Sequence, residues 1–319
     1  MILNETHSND YLQAVRSGTL KQGLGIDCKL DENLRFKYGQ FNVIVGHANV
    51  GKTDWIIWYM VCLSVKHSLN WLIYSSENTV GSLKRKIIEY KTSENLEDLS
   101  EEDYNKANQW VNFKFKFVDT SKLYTGYELL KVFEGIADQF DGAIIDPYNS
   151  LKKEPGHGNS HEYDYTFASE VRLFCERLNK TIYIIGHGVT EALRKTHRQD
   201  HPMHGHTMPL NAADIEGGGK WVNRCNDMIV LHRYTQSKDE WFITQVHTRK
   251  IKETETGGKP TFIDEPIKCI KYKNTFTVEQ QNPLSLEENK LTYNNSIKIA
   301  RERAEEDFLR EQDEQDIPF

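Results

Sequence analysis

Cysteine is scarce in this sequence, and no two cysteines are spaced as a pair. The five cysteines among 319 residues are scattered along the chain, without a Cys-x-x-Cys spacing, and their number is odd. This pattern argues against a disulfide framework and is typical of a reducing compartment. We expect the cysteines to be buried as small apolar side chains.

Long apolar runs are also missing. The most apolar stretch, Trp55–Val65, has 11 residues, whereas a bilayer-spanning helix needs roughly 20. No signal-peptide pattern is visible either. The sequence therefore predicts a soluble, cytoplasmic protein with no membrane partner.

Basic residues are not in excess. The chain has 40 Lys and Arg against 47 Asp and Glu, a formal net charge of −7, which excludes a uniformly basic coat for nucleic acid. The segment Glu287–Phe319 holds ten carboxylates and five bases, so it alone carries −5. The first 286 residues are near neutral, which leaves room for a local basic surface.

Apolar residues are plentiful enough for a large core, at 38% with 11% aromatic. From Phe41 to Gly186, short apolar runs alternate with helical patterns, which predicts right-handed βαβ units and a mainly parallel sheet with helices on both faces. After Asp227, extended runs follow one another without helices. They predict an antiparallel extension of the same α/β sheet.

Three regions follow from this pattern. Residues 1–22 form an arm with a short amphipathic helix, in which Tyr11, Leu12 and Val15 lie on one side. Residues 23–284 form the main domain. Residues 285–319 are polar and charged, and we expect them to be a partly disordered tail.

A phosphate-binding loop is predicted at Gly46–Thr53, where GHANVGKT matches G-x-x-x-x-G-K-[ST]. An apolar strand precedes it and a helical pattern follows, so that backbone N–H groups face the phosphates at a helix N-terminus. Lys52 is expected to reach the β- and γ-phosphates, and the Thr53 hydroxyl to bind Mg²⁺. The predicted nucleotide-binding residues are Gly46, Asn49, Gly51, Lys52, Thr53 and Asp146.

Asp146 ends the apolar run Gly142–Asp146 and is the predicted second Mg²⁺ ligand. The alternative is that Asp146 only caps a helix. Pro147 makes a direct helical continuation unfavourable, so the cap is the less natural explanation.

Two further strand ends carry side chains suited to hydrolysis. Glu77 follows the run Trp71–Ser76 and is predicted to orient and deprotonate the attacking water; the alternative is a role in capping the next helix. His187 ends the run Thr181–Gly186 and is predicted to sense the γ-phosphate, although a histidine at this place is also compatible with a structural role.

Taken together, these segments resemble the RecA-like core of hexameric helicases of the DnaB and phage primase-helicase type, also called superfamily 4. The resemblance runs from about Gly23 to Val278 and includes the later stretch Asp214–Lys220 that leads to Asn226–Leu231. With no zinc-ribbon or primase-like module upstream, the chain is similar to a stand-alone helicase module. The resemblance implies ATP hydrolysis with Mg²⁺ between the subunits of a hexameric ring.

It also implies that a neighbouring subunit inserts an arginine and a lysine next to the γ-phosphate. The matching segment, Val246–Gly258, has Lys252 where the arginine is expected and Lys250 at the lysine position, with Arg249 adjacent. A lysine cannot copy the bidentate guanidinium. The segment is also compatible with a solvated basic hairpin.

In this family, loops facing a central channel hold single-stranded DNA. The loop after the sensor histidine corresponds to Gly188–Pro209 and carries Arg194, Lys195 and Arg198, which would track phosphates in a salt-dependent way. A second candidate loop is Lys152–Tyr165. Either segment is also compatible with an ordinary mobile loop, and the histidines near residue 200 lack the pattern of a metal site.

The chain ends in an acidic run closed by Asp316, Ile317, Pro318 and Phe319. This end is similar to the tips of bacterial single-stranded-DNA-binding proteins and to the tails of phage primase-helicases. The resemblance implies that the tail recruits a replication protein; the alternative is a solubilising end.

The function expected from the sequence is an ATP-dependent hexameric DNA helicase that translocates on single-stranded DNA in phage DNA replication. Two alternatives stay open. One is a RecA-like recombinase or strand-annealing ATPase that does not unwind, and the other is a signalling or clock-type ATPase with a protein partner.

Overall fold

A single mixed sheet forms the centre of the molecule in the computed structural model, which describes residues 6–153 and 160–285. Nine strands lie in this described part. They are β1 (Phe41–Gly46), β2 (Trp71–Ser75), β3 (Phe115–Phe117), β4 (Gly142–Asp146), β5 (Thr181–His187), β6 (Asp227–His232), β7 (Ile243–Ile251), β8 (Ile267–Tyr272) and β9 (Thr275–Val278).

The spatial strand order is β3-β2-β4-β5-β1-β6-β7-β8-β9. Neighbouring strands are parallel from β3 to β6 and antiparallel from β6 to β9. The predicted α/β fold, with an antiparallel extension towards the C-terminal side, is confirmed.

Helices cover both faces of the sheet. They are α1 (Thr6–Ser17), α2 (Lys52–His67), α3 (Val80–Thr92), α4 (Glu101–Lys114), α5 (Gly126–Gly135), α6 (Ser160–Leu178), α7 (Gly219–Arg224) and α8 (Thr254–Gly257). Among the helices described, none is long and apolar enough to cross a membrane.

The core lies in two apolar layers, one on each face of the sheet. Every residue of β1, β2 and β4 is buried, as expected for central parallel strands covered on both sides. Helix α2 is apolar nearly all round, and the fully buried rings of Trp55 and Tyr59 stack at 5.4 Å between centroids. This packing fixes the helix that follows the predicted phosphate loop.

Residues 23–40 form a strap across the antiparallel side. Leu24 pairs with Phe36, and the Gly23 amide donates to the carbonyl of Thr256. The buried Lys37 amine lies 3.5 Å from Oδ2 of Asp227, the fully buried first residue of β6. The strap is therefore tied to β6 and to the turn after β7.

Asp227 is also held from a second side, because its Oδ1 accepts a hydrogen bond from the Lys252 amide at 3.2 Å. Burial raises the pKa of Asp227, and the Lys37 charge opposes that shift. One buried carboxylate thus connects the strap, β6 and the predicted finger residue.

The sequence patterns did not predict α4, which lies between β2 and β3. Its buried side chains are few, and its start is stabilised by the Ser100 hydroxyl, which accepts the Asp103 amide, and by acidic residues in the first turn. The predicted loop Lys152–Tyr165 is wrong in its second half, because α6 begins at Ser160.

Helix α1 agrees with the predicted amphipathic arm. Its apolar side chains Tyr11, Leu12 and Val15 are all exposed. The tail from residue 286 onward, with the predicted partner-binding residues Asp316, Ile317, Pro318 and Phe319, lies outside the described residues.

Candidate ATP-hydrolysis site

The phosphate loop joins the C-terminal end of β1 to the N-terminus of α2. Two of its residues adopt the left-handed backbone conformation, Asn49 at φ +61° and Gly51 at φ +82°. At Gly51 a side chain is also excluded by space, because a Cβ would lie 2.8 Å from the Arg233 guanidinium. The second glycine of the motif is therefore required for both conformation and contact.

The Lys52 side chain folds back over the loop. Its amine donates hydrogen bonds to the carbonyl oxygens of Gly46 and His47 at 3.0 and 2.8 Å, and lies 3.5 Å from Nδ1 of His187. Burial lowers the pKa of Lys52, whereas the carboxylates of Asp146 and Glu77 act in the opposite direction. The amine is thus held at the loop by groups that phosphate oxygens can replace.

Thr53 and Asp146 meet across the sheet edge. The Thr53 hydroxyl donates a hydrogen bond of 2.7 Å to Oδ2 of Asp146, which is only 3% exposed. Burial raises the pKa of Asp146 to about 6. A hydroxyl and a carboxylate side by side are oxygen ligands that suit Mg²⁺, so these residues fit the predicted metal site.

The peptide bond between Asp146 and Pro147 is cis, and a 3-10 turn, not an α-helix, follows. Asp146 is therefore not the N-cap of an α-helix. Its carbonyl accepts the Ser76 amide at 3.1 Å, which ties the end of β4 to the residue before Glu77.

Glu77 and His187 face each other next to Lys52. Oε1 of Glu77 lies 3.7 Å from Nε2 of His187, and the Glu77 side chain is 55% exposed. The cap of α3 is Thr79, whose hydroxyl accepts the Ser82 amide, so Glu77 is not the capping residue. Burial, and then the Lys52 charge, lower the pKa of His187.

These side chains come from four adjacent strands. The register pairs Ser75 with Asp146 and Gly46 with His187, so β2, β4, β5 and β1 end at the same sheet edge. The sheet thus collects a lysine, a hydroxyl, two carboxylates and an imidazole at the place where open α/β sheets bind ligands. This set can bind a nucleotide phosphate with a cation and activate water.

The basic residues predicted to bind DNA lie on the segment after β5. Arg194, Lys195 and Arg198 are exposed, and the Lys195 amine bonds Oδ1 of Asp214 at 2.8 Å. The segment folds back on itself, because Thr196 pairs with Thr207. It is therefore an ordered unit that presents cations at the same sheet edge.

The three predicted finger residues have different surroundings. The Lys250 amine donates to the carbonyls of Val222 and Cys225 at 2.6 and 2.7 Å, so it stabilises the end of α7 in its own chain. Arg249 is half-buried, and burial lowers its pKa. Lys252 is exposed just past the end of β7.

Two residues next to the loop were missed by sequence reasoning. Arg233 follows β6, is largely buried and donates to the Thr244 hydroxyl at 2.6 Å. His47 lies inside the phosphate loop, and its Nε2 is 3.3 Å from the carbonyl oxygen of Met208. The motif leaves position 47 free, so nothing in its pattern marked this histidine.

The phosphate loop after β1, the carboxylate after β2 and the aspartate that ends β4 define a P-loop ATPase with a RecA-like sheet. No protein-family profile matches the chain. In sequence the chain is 23% identical over 240 residues to the Twinkle homolog protein, chloroplastic/mitochondrial, of Arabidopsis thaliana. That match takes in 69% of this chain but 32% of the relative, so the chain spans about a third of the relative's length.

Solved structures agree on the fold. The ATPase domain of a DnaB-like helicase superposes with a TM-score of 0.64 at 12% identity, over 86% of this chain and 99% of that domain. A DnaB-like replicative helicase, solved for its interactions with primase, gives 0.63 at 12% identity, over 86% of this chain and 67% of the other. A KaiC-like protein from Pyrococcus horikoshii gives 0.51 at 13% identity, over 81% and 97%. The RecA-like fold of DnaB-type helicases predicted from the sequence is confirmed.

Proposed function

We propose that this chain is an ATP-dependent DNA helicase that translocates on single-stranded DNA as a hexameric ring in phage DNA replication. The observation that carries the proposal is the convergence of Lys52, Thr53, Glu77, Asp146 and His187 at one sheet edge, beside an exposed basic segment. The sequence similarity to the Twinkle homolog supports the assignment to helicases.

Nucleotide binding is assigned to the phosphate loop. The Lys52 amine exchanges the carbonyl oxygens of Gly46 and His47 for phosphate oxygens, which are stronger acceptors because they are charged. Thr53 and Asp146 would hold Mg²⁺, and the cation neutralises the charge that develops on the phosphates. At pH below about 6, Asp146 must lose a proton to serve as a ligand.

Glu77 is the assigned general base. Its carboxylate is accessible to water and lies beside both the Lys52 amine and the His187 ring. It accepts a proton from water as that water attacks the terminal phosphorus. His187, at the end of β5, responds to the terminal phosphate through its contacts with both neighbours.

DNA binding is assigned to the segment that follows β5. Arg194, Lys195 and Arg198 are exposed and supply phosphate contacts that are independent of base sequence. The segment begins directly after His187, so the nucleotide site and the DNA site share one strand end.

The ring is supported by groups that are exposed in the single chain. The exposed side chains of Tyr11, Leu12 and Val15 form an apolar face that a second copy would cover. Lys252, exposed beyond β7, is the better candidate for the residue that enters a neighbouring site, because Lys250 is bonded within its own chain. We keep residues 23–284 as the motor domain, 1–22 as the arm and 285–319 as a tail that binds a replication protein in the cytoplasm.

Strand displacement on a forked duplex with ATP and Mg²⁺ tests the proposal. Unwinding by the wild type and its loss in Lys52→Ala are expected. Annealing without unwinding would support the strand-annealing alternative, and ATP hydrolysis indifferent to DNA would support the protein-partner alternative. Native mass spectrometry with a non-hydrolysable ATP analogue is expected to give a hexamer, and a monomer at all protein concentrations would refute the ring.

A further inference from the structure

His47 connects the phosphate loop to the basic segment. Its backbone carbonyl accepts the Lys52 amine at 2.8 Å, while its imidazole donates from Nε2 to the Met208 carbonyl at 3.3 Å. The side chain is 7% exposed, so the contact is shielded from water. One residue therefore touches both the phosphate-binding amine and the end of the segment that carries the cations.

A line of rings continues from His47 on the same side of the sheet. The His47 ring meets His232 edge-on at 6.4 Å between centroids, and His232 meets Tyr234 edge-on at 4.5 Å. The Tyr234 hydroxyl is hydrogen-bonded to Nε2 of His197 at 3.0 Å. This line ends in the basic segment, one residue before Arg198.

The two attachment points, His197 and Met208, belong to one folded unit, residues 195–208. The Met208 amide donates to the Lys195 carbonyl at 2.8 Å, and the His197 amide donates to the His206 carbonyl at 3.0 Å. Because the unit is closed by its own backbone hydrogen bonds, a displacement at either point moves Lys195 and Arg198 with it.

His232 has no adjustable hydrogen bond that would absorb a displacement. Both of its ring nitrogens lack a hydrogen-bond partner in the described part of the chain, and the ring is 2% exposed. Closely packed rings transmit a shift of one member to the next, because the interior has little free volume.

We propose that the contacts His47–His232–Tyr234–His197, together with His47–Met208, couple occupancy of the phosphate loop to the position of unit 195–208. Nucleotide phosphates draw the Lys52 amine away from the His47 carbonyl and thereby change the restraint on this residue. The consequence for DNA, a change in single-strand affinity, rests on the proposed function. The coupling itself is a property of this chain with nucleotide alone.

The test variant is Tyr234→Phe, which keeps the ring and removes only the hydroxyl. Single-stranded DNA affinity is measured by fluorescence anisotropy with a non-hydrolysable ATP analogue and with ADP, and the ratio of the two dissociation constants is the readout. Loss of one hydrogen bond is expected to reduce that ratio by about threefold to tenfold. Tyr104→Phe, an exposed tyrosine on α4, is the matched control and should leave the ratio unchanged.

His197→Phe removes the other partner of the same bond. The double variant should change the ratio no further than either single variant, because both remove one interaction. Equal ratios in wild type, Tyr234→Phe and His197→Phe would overturn the coupling while leaving the helicase proposal intact.

A readout without DNA separates the two proposals. Hydrogen exchange of residues 195–208 is expected to respond to the ATP analogue in wild type and to respond less in Tyr234→Phe. If the wild type fails to bind single-stranded DNA, the proposed function falls, and this exchange measurement decides the coupling. An exchange response that is absent in wild type, or unchanged in the variant, refutes it.

Discussion

The hydroxyl of Thr53 and the carboxylate of Asp146 lie 2.7 Å apart, although the two residues belong to different strand–helix units. Thr53 is fixed by the first turn of α2 and Asp146 by the central strand β4. Both side chains are positioned by backbone packing, so the site exists before any ligand enters.

Removal of the Thr53 hydroxyl is expected to weaken Mg²⁺ activation. Thr53→Ala should need at least about tenfold more Mg²⁺ for half-maximal ATP hydrolysis, since it loses an oxygen ligand. Thr53→Ser keeps the hydroxyl and is the matched control. A Mg²⁺ titration of hydrolysis checks this, and identical titrations for both variants would contradict the assignment.

Glu77→Gln is expected to bind nucleotide normally and to hydrolyse it about 10²- to 10⁴-fold more slowly, because the base is lost while the shape is kept. The measurements are a fluorescent-nucleotide binding assay and a phosphate-release assay. Glu170→Gln, an exposed change on α6, serves as control. Retained hydrolysis in Glu77→Gln would refute Glu77 as the base.

Lys250 and Lys252 are expected to fail in different ways. Lys250→Met should lower the free energy of unfolding by about 1.5–3 kcal/mol, because it deletes charged hydrogen bonds to the Val222 and Cys225 carbonyls. Lys252→Met should leave stability nearly unchanged and reduce hydrolysis in the assembled protein. Urea unfolding and ATPase assays on both variants separate the roles; a stable, inactive Lys250→Met would reverse them.

The exposed cations of the segment after β5 are expected to govern the salt dependence of DNA binding. Arg198→Ala should reduce the slope of log K against log salt by about 0.7, the value for one phosphate contact with a single strand. Lys131→Ala, an exposed change on α5, should leave the slope unchanged. Anisotropy titrations at several salt concentrations measure both slopes.

The buried ring of His247 should make the fold sensitive to acid. Burial lowers its pKa from 6.5 to about 3, so the unfolded chain binds the proton that the folded chain excludes. The stability from this group is therefore complete above pH 6.5 and is lost as the pH falls towards 3. From pH 7 to 5 the wild type should lose about 2 kcal/mol more than His247→Gln.

Urea unfolding at the two pH values measures this difference. His204→Gln, an exposed histidine, should behave as wild type. Parallel pH dependence in His247→Gln and wild type would contradict the assignment.

The sequence predicted the sheet and the strand-end site because both depend on local order. An apolar run followed at once by Gly46, Asp146 or His187 places that residue at a strand end, and the parallel arrangement brings the ends to one edge. The chemistry of each side chain then assigns its role.

Helix α4 and the His47 contacts depend on other information. Helix α4 buries few apolar side chains, so its hydrophobic period is weak and its capping residues stabilise it instead. His47, Tyr234 and His197 are far apart in the chain, and only the packing of the basic segment against β1 and β6 brings them together. No local pattern contains such contacts.

The buried pair of Lys37 and Asp227 determines how far the chain can be shortened from its N-terminus. A protein that starts after Lys37 would retain Asp227 inside the sheet without its cation, a loss of about 3–5 kcal/mol. It would also free the turn after β7 from the Gly23 amide that holds it. The smallest fragment that folds therefore begins before Gly23, even though the phosphate loop starts more than twenty residues later.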